Sequence, residues 1–195
     1  NAKGKSANLC DYMQIAAIGT GLRDEELVDI AALSMGTRLF SNDGNSIFSE
    51  SFMIKALEAS AQYGFVLATH CQPEEELIER DLRLLEKIKG ASLHICHVSK
   101  ADSVAMIRTA KAKNLPVTCE VTPHHVFAAE ADENVASQLP FVRNIGYKVN
   151  PPIGNCRDHA ALMEGLRDGT IDMLATDHAL HREEDKRAGA TGIRN

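Results

Sequence analysis

Four residues of metal-ligand type recur at one fixed interval, and nothing else in the chain constrains its fold as strongly. Asp43, His70, His97 and His124 stand 27 residues apart, each at or just past the end of a short run that reads as a strand. The runs are Arg38–Ser41, Phe65–Thr69, Leu93–Val98 and Pro116–Val121. They are largely continuous in apolar character rather than alternating, as parallel strands covered by helices require. A repeating strand-plus-helix unit of this length predicts an α/β fold, either a (β/α)8 TIM-type barrel or a doubly wound sheet.

The remaining elements complete the pattern. Tyr12–Ile18 and Ile171–Thr176 add a strand at each end, making six. Helices are predicted over Glu25–Met35, with Asp24 as N-cap, and over Phe52–Tyr63, which Gly64 stops. Pro73 opens a helix over Glu74–Lys89 whose buried stripe is Leu77, Ile78, Leu82, Leu85 and Ile88. A further helix reaches Lys113, and another spans Asp158–Arg167. Ala129–Gly154 is a long irregular connection with a short helix expected around Asp132–Gln138. No low-complexity linker divides residues 1–195, so one domain is expected. Eight units of 27 residues need 216, more than the 195 present. The expectation is therefore a partial barrel carrying about strands 3 to 8, without the first strands and the C-terminal part. A free-standing six-stranded sheet is the alternative.

Composition removes several functional classes. With 21 Lys+Arg against 27 Asp+Glu the chain is acidic, and it has three Tyr, six Phe and no Trp. Nucleic-acid surfaces want clustered cations and stacking aromatics, so none is expected. No apolar run approaches the ~18–20 residues of a membrane helix. The five cysteines, at 10, 71, 96, 119 and 156, form no C-x-x-C pair, which argues against a zinc ribbon or disulfide framework and for a cytoplasmic location.

Active sites of parallel α/β folds lie at the C-terminal ends of the strands. Asp43, His70, His97 and Asp177 occupy those ends here. Two carboxylates and two imidazoles are the donor set of a divalent cation of the zinc type, and a carboxylate can bridge two ions where a single imidazole cannot. The other candidates read as structural. His94 is expected toward the helices and His159 on an exposed helix face, while His124 and His125 could line the pocket. Asp24, Glu74 and Asp158 read as caps and helix-start charges. Cys71 and Cys96 read as small core fillers.

Several stretches together resemble the dihydroorotases, a branch of the amidohydrolase superfamily of metal-dependent barrels. They are Phe40–Gly44, Ala68-Thr69-His70-Cys71, Leu93–Ser99, Glu120–His125, Lys148–Pro152 and Asp168–His178. The resemblance implies that Asp43 bridges two zinc ions and that His70 and His97 hold the second. It implies that Asp177 touches the first zinc and moves the proton, and that Asn150 and His181 contact substrate. Related hydantoinases, dihydropyrimidinases and allantoinases usually bridge with a carboxylated lysine. Gly36–Gly44 contains no Lys, which favours the branch that uses Asp. There are departures as well. The family's H-x-H pair, which grips the first zinc, and the Arg that follows it do not occur in this sequence. Asn42, Gln72 and Leu180 also replace residues usual in the family.

The implied reaction is the reversible conversion of N-carbamoyl-L-aspartate to L-dihydroorotate, on a small anionic substrate, in de novo pyrimidine synthesis. The alternatives are another cyclic amidase of the superfamily, or a weakly active structural partner of aspartate transcarbamoylase. The resemblance leaves open a homo-oligomer and that transcarbamoylase as partners.

Overall fold

The computed structural model describes residues 11, 13–127, 149–179 and 181–189. The expected helix around Asp132–Gln138 lies outside them. The elements are β1 (Ala16–Ala17), α1 (Ile30–Leu33), β2 (Leu39–Ser46), α2 (Glu50–Tyr63), β3 (Val66–His70), α3 (Glu74–Lys87), β4 (Ser92–Ile95), α4 (Ala101–Ala112), β5 (Val117–Val121), α5 (Pro123–Phe127), α6 (Cys156–Asp168), β6 (Met173–Leu174) and α7 (Glu183–Arg187). The strands form a six-stranded sheet in chain order, β1 to β6, with parallel pairing between β1 and β2, β2 and β3, and β5 and β6. Strand and helix alternate through its length, as the apolar runs require.

Two compact units divide the chain, the first comprising residues 1–70 and 83–94 and the second residues 71–82 and 95–195. In the first, α2 lays Phe52, Met53, Ala56 and Leu57 into a core shared with Phe40, Phe65 and Leu67. The rings of Phe40 and Phe65 are 4.4 Å apart and tilted, the offset arrangement aromatic pairs prefer. Ser60, fully buried on α2, donates to the Phe65 carbonyl at 2.6 Å and accepts from the Ser92 amide at 3.0 Å. One hydroxyl thus satisfies two backbone groups that would otherwise be buried unpaired. Gly64 closes α2 in the left-handed conformation, φ 67°, which a Cβ would penalise.

In the second unit, α4 packs on α6 through Val104, Ile107 and Leu162. Gly165 permits the approach: a Cβ there would stand 3.0 Å from the Ile171 side chain and 3.1 Å from that of Val104. Asp172 accepts from the Cys119 amide at 2.8 Å and from the Lys111 ammonium at 2.7 Å, joining the start of β6 to β5 and α4.

Three local expectations are corrected. The helix predicted over Glu25–Met35 is a single turn, Ile30–Leu33, capped by Asp29, whose carboxylate accepts from the Ala32 amide at 3.0 Å. Asp24 is drawn elsewhere, accepting from the amides of Phe48 and Ser49 at 2.9 and 2.7 Å, so it no longer serves as the cap. The strand predicted to end at Ser41 continues as β2 to Ser46 through an irregularity in its pairing with β3. Asp43 therefore projects from a bulged strand rather than from a turn beyond it.

Candidate metal centre

In the first unit, the irregular end of β2 sets the position of Asp43. Ser41 Oγ accepts from the Asp43 amide at 3.1 Å, and Gly44 follows with φ 76°. The neighbour Asn42 points inward, is 2 % exposed, and accepts from the Gly19 amide at 3.0 Å. The Asp43 side chain emerges 90 % exposed, and its Oδ1 lies 3.9 Å from Nε2 of His70 at the end of β3. That separation is too long for a hydrogen bond. It suits two donors sharing one cation through bonds of about 2.0–2.2 Å. A carboxylate oxygen and an imidazole nitrogen at this spacing fit a zinc-type ion by chemistry as well as by reach.

His97 and Asp177 lie in the second unit, each just beyond a strand. His97 is buried with φ 36°, and Asp177 is half-buried with φ 48°. Among the described residues, four that are not glycine adopt positive φ, and these two predicted ligands are half of them. Such conformations cost free energy and persist where the surroundings fix them, often at functional sites.

His124 and His125 follow the end of β5 in the first turn of α5, and both are buried. His125 is occupied at both nitrogens. Its Nε2 is 2.9 Å from the Pro151 carbonyl, which can only accept, so Nε2 carries the hydrogen. Nδ1 then accepts from the Thr122 hydroxyl at 2.6 Å. Burial lowers the His125 pKa, and the Lys100 ammonium adds to this. A neutral imidazole with both nitrogens used ties α5 to the residue after Asn150. Asn150 itself is exposed. Half-buried His181 has Nδ1 2.9 Å from the Ala179 carbonyl, so Nδ1 carries the hydrogen and Nε2 is left for an external partner.

Two residues that sequence reasoning dismissed do more than cap helices. Glu74 and Asp158, each 4 % exposed, reach the backbone that follows His97. Asp158 also completes a capping box with Asn155 at the start of α6. Cys71 is a buried filler as expected, with its thiol 3.8 Å from the Asp81 carboxylate, whereas Cys96 and His159 are half-buried. Burial pushes the Asp81 pKa up to about 6 against the pull of Arg80.

No family model matches the sequence. Among solved structures, a D-hydantoinase superposes with a TM-score of 0.76 at 18% identity, covering 94% of this chain and 48% of its own. A dihydroorotase from Saccharomyces cerevisiae, in complex with 5-fluoroorotic acid, superposes with a TM-score of 0.76 at 15% identity over 99% of this chain and 60% of its own. The fold is thus a partial (β/α)8 barrel. Curated relatives narrow the class. The dihydroorotase of Streptomyces coelicolor is 38% identical over 94% of this chain, and that of Lactiplantibacillus plantarum 36% identical over 92%. Over nearly its whole length the chain is similar to these dihydroorotases. It spans about half the length of the curated relatives it matches, 48% of each of these two.

Proposed function

We propose that this chain is part of a zinc-dependent dihydroorotase that interconverts N-carbamoyl-L-aspartate and L-dihydroorotate in pyrimidine synthesis. The observation that carries the reading is Asp43 Oδ1 at 3.9 Å from His70 Nε2, in a chain 38% identical to a dihydroorotase. Asp43, His70, His97 and Asp177 would hold the metal. The chain is read as a single partial barrel domain carrying about strands 3 to 8.

Zinc in such a site supplies Lewis acidity toward the amide carbonyl and a water acidic enough to attack at neutral pH. The protein's own groups do the rest. Asp177, held in its left-handed backbone conformation, takes the proton from the attacking water and returns it to the departing ring nitrogen. In the cyclisation direction the same carboxylate takes the proton from the carbamoyl nitrogen. A doubly protonated His181, its Nδ1–H on the Ala179 carbonyl, would donate Nε2–H to the substrate carboxylate, and Asn150 offers its amide. His125 holds Pro151 and so the backbone that carries Asn150.

A cytoplasmic location accompanies this reading. It is supported by four described cysteines without a disulfide and, among the described residues, no helix long and apolar enough to cross a membrane. A second copy of the chain and aspartate transcarbamoylase are the protein partners this reading leaves open.

The test is turnover of L-dihydroorotate by the intact protein, with Asp177→Asn beside it. The expected loss is ~10²–10⁴ in kcat with zinc content measured in parallel. Near-normal turnover would remove Asp177 from the mechanism. Hydrolysis of hydantoin or allantoin but not dihydroorotate would move the protein to another branch of the cyclic amidases.

A further inference from the structure

Four consecutive amides follow His97, and each donates to an acceptor inside the second unit. Val98 N–H reaches the Glu120 carbonyl at 2.9 Å. Ser99 N–H lies 3.0 and 3.2 Å from the two carboxylate oxygens of Glu74, and Lys100 N–H lies 3.0 Å from Oε1 of the same group. The Ser99 hydroxyl donates to Glu74 Oε2 as well. Ala101 N–H reaches Asp158 Oδ1 at 2.9 Å. Only the first of these acceptors is backbone. The other three amides are held by carboxylates from the first turns of α3 and α6, both buried.

Burying a carboxylate is costly unless its oxygens are fully hydrogen-bonded, and Glu74 meets that condition with three donors. The two carboxylates divide the segment between them. Asp158 takes the first amide of α4, whose N-cap position, Lys100, makes no side-chain cap of its own. That is the work of a helix cap supplied from a distance. Glu74 instead takes Ser99 and Lys100, which precede the helix and follow His97 after the single residue Val98. His97 has φ 36°, a conformation that an imidazole-bearing residue keeps only when its flanks are fixed.

We propose that Glu74 is a positioning residue for His97: it fixes the turn after β4 so that the imidazole is presented in a constant place, while Asp158 supports the helix. The inference rests on the reading of His97 as a zinc ligand. Groups that orient a ligand without touching the metal typically alter metal affinity by about 10–100-fold when changed.

The experiment measures the zinc dissociation constant of the intact protein by chelator competition, with zinc ions alone as the probe. The thermal midpoint of the metal-free protein is recorded alongside. Glu74→Gln keeps the shape but replaces one acceptor oxygen by a donor. It is expected to weaken zinc binding by about 10–100-fold. Asp158→Asn is expected to lower the thermal midpoint at least as much while leaving zinc affinity near that of the wild type. Unchanged affinity in Glu74→Gln overturns the proposal, as do equal losses of affinity in the two variants, because Glu74 would then act through stability alone. If Glu74→Gln does not accumulate folded, Ser99→Ala decides. It removes one hydroxyl bond, and weaker zinc binding at an unchanged midpoint supports the proposal, whereas unchanged binding overturns it. A wild-type protein that binds no zinc fails the metal-centre reading itself, and this inference with it. Wild-type binding with an indifferent Glu74→Gln fails the inference alone.

Discussion

The rings of His124 and His125 lie 4.5 Å apart at the start of α5, tilted by 44° and buried together. Burial, with His125 and the Lys186 ammonium adding to it, pushes the His124 pKa down to about 3. An unfolded histidine binds its proton near 6.5. The native state therefore refuses a proton that the unfolded chain accepts, and stability falls as pH drops from about 6.5 toward 3. Above about 6.5 the contribution is complete. The thermal midpoint of the metal-free protein is expected to fall between pH 7.5 and 5.5, and His124→Phe, which cannot titrate, is expected to reduce that fall. Equal falls in both proteins would show that His124 does not carry the effect.

Asp43 offers a second test, because its side chain is exposed and contributes little to the core. Asp43→Ala is expected to leave the thermal midpoint of the metal-free protein within the small range of surface substitutions, about 0.5 kcal/mol. Zinc affinity is expected to fall by more than ~100-fold, beyond the range for residues that merely orient ligands. Chelator competition reads the affinity, and a melting curve reads the midpoint. Zinc binding equal to wild type would take Asp43 out of the ligand set.

The close contact of α4 with α6 predicts a packing cost. Gly165→Ala places a methyl group 3.0 Å from Ile171 and 3.1 Å from Val104, so both side chains must shift. The expected destabilisation is ~1–3 kcal/mol, measured by urea unfolding. Ile171→Val removes one of the two crowded atoms, and in the Gly165→Ala background it is expected to cost less than it does alone. Additive costs in the double-mutant cycle would mean the two sites are not in contact.

Thiol chemistry separates the cysteines. Burial pushes the Cys119 thiol up to about 12, and its Sγ lies 3.4 Å from the Thr170 carbonyl. Cys156, at the start of α6, is exposed. A maleimide at pH 8 is expected to label Cys156 within minutes and to leave Cys119 unmodified until the protein is unfolded. Peptide mass spectrometry reads the order, and early modification of Cys119 would contradict its burial.

The main helices were legible because apolar spacing and punctuation agreed. Phe52–Tyr63 and Glu74–Lys89 were expected where Glu50–Tyr63 and Glu74–Lys87 form, with Gly64 closing the first as predicted. The segment Glu25–Met35 misled because local helix propensity is weak beside tertiary demand. Its presumed cap, Asp24, is claimed by the amides of Phe48 and Ser49, more than twenty positions away. The interval singled out Asp43, His70 and His97, and His124, which shares it, is a buried helix residue. Glu74 and Asp158 were missed for a plainer reason. An acid in the first turn of a helix looks the same in sequence whether it meets water or the backbone of a loop far along the chain. The Ser99-Lys100 pair two positions after His97 carries no meaning until the acceptors are known.

Placing Asp43 on a bulged strand makes its location a matter of counting. Burial along β2 changes in one step, with Phe40, Ser41 and Asn42 enclosed and Asp43, Gly44 and Asn45 exposed. Deleting Ser41 would shift the chain by one place and draw the Asp43 carboxylate into the position where the interior now holds the Asn42 amide. A loop would have absorbed such a change with a small adjustment. Evolution along this stretch is thereby confined to replacing letters in place, and insertions or deletions there would be purged.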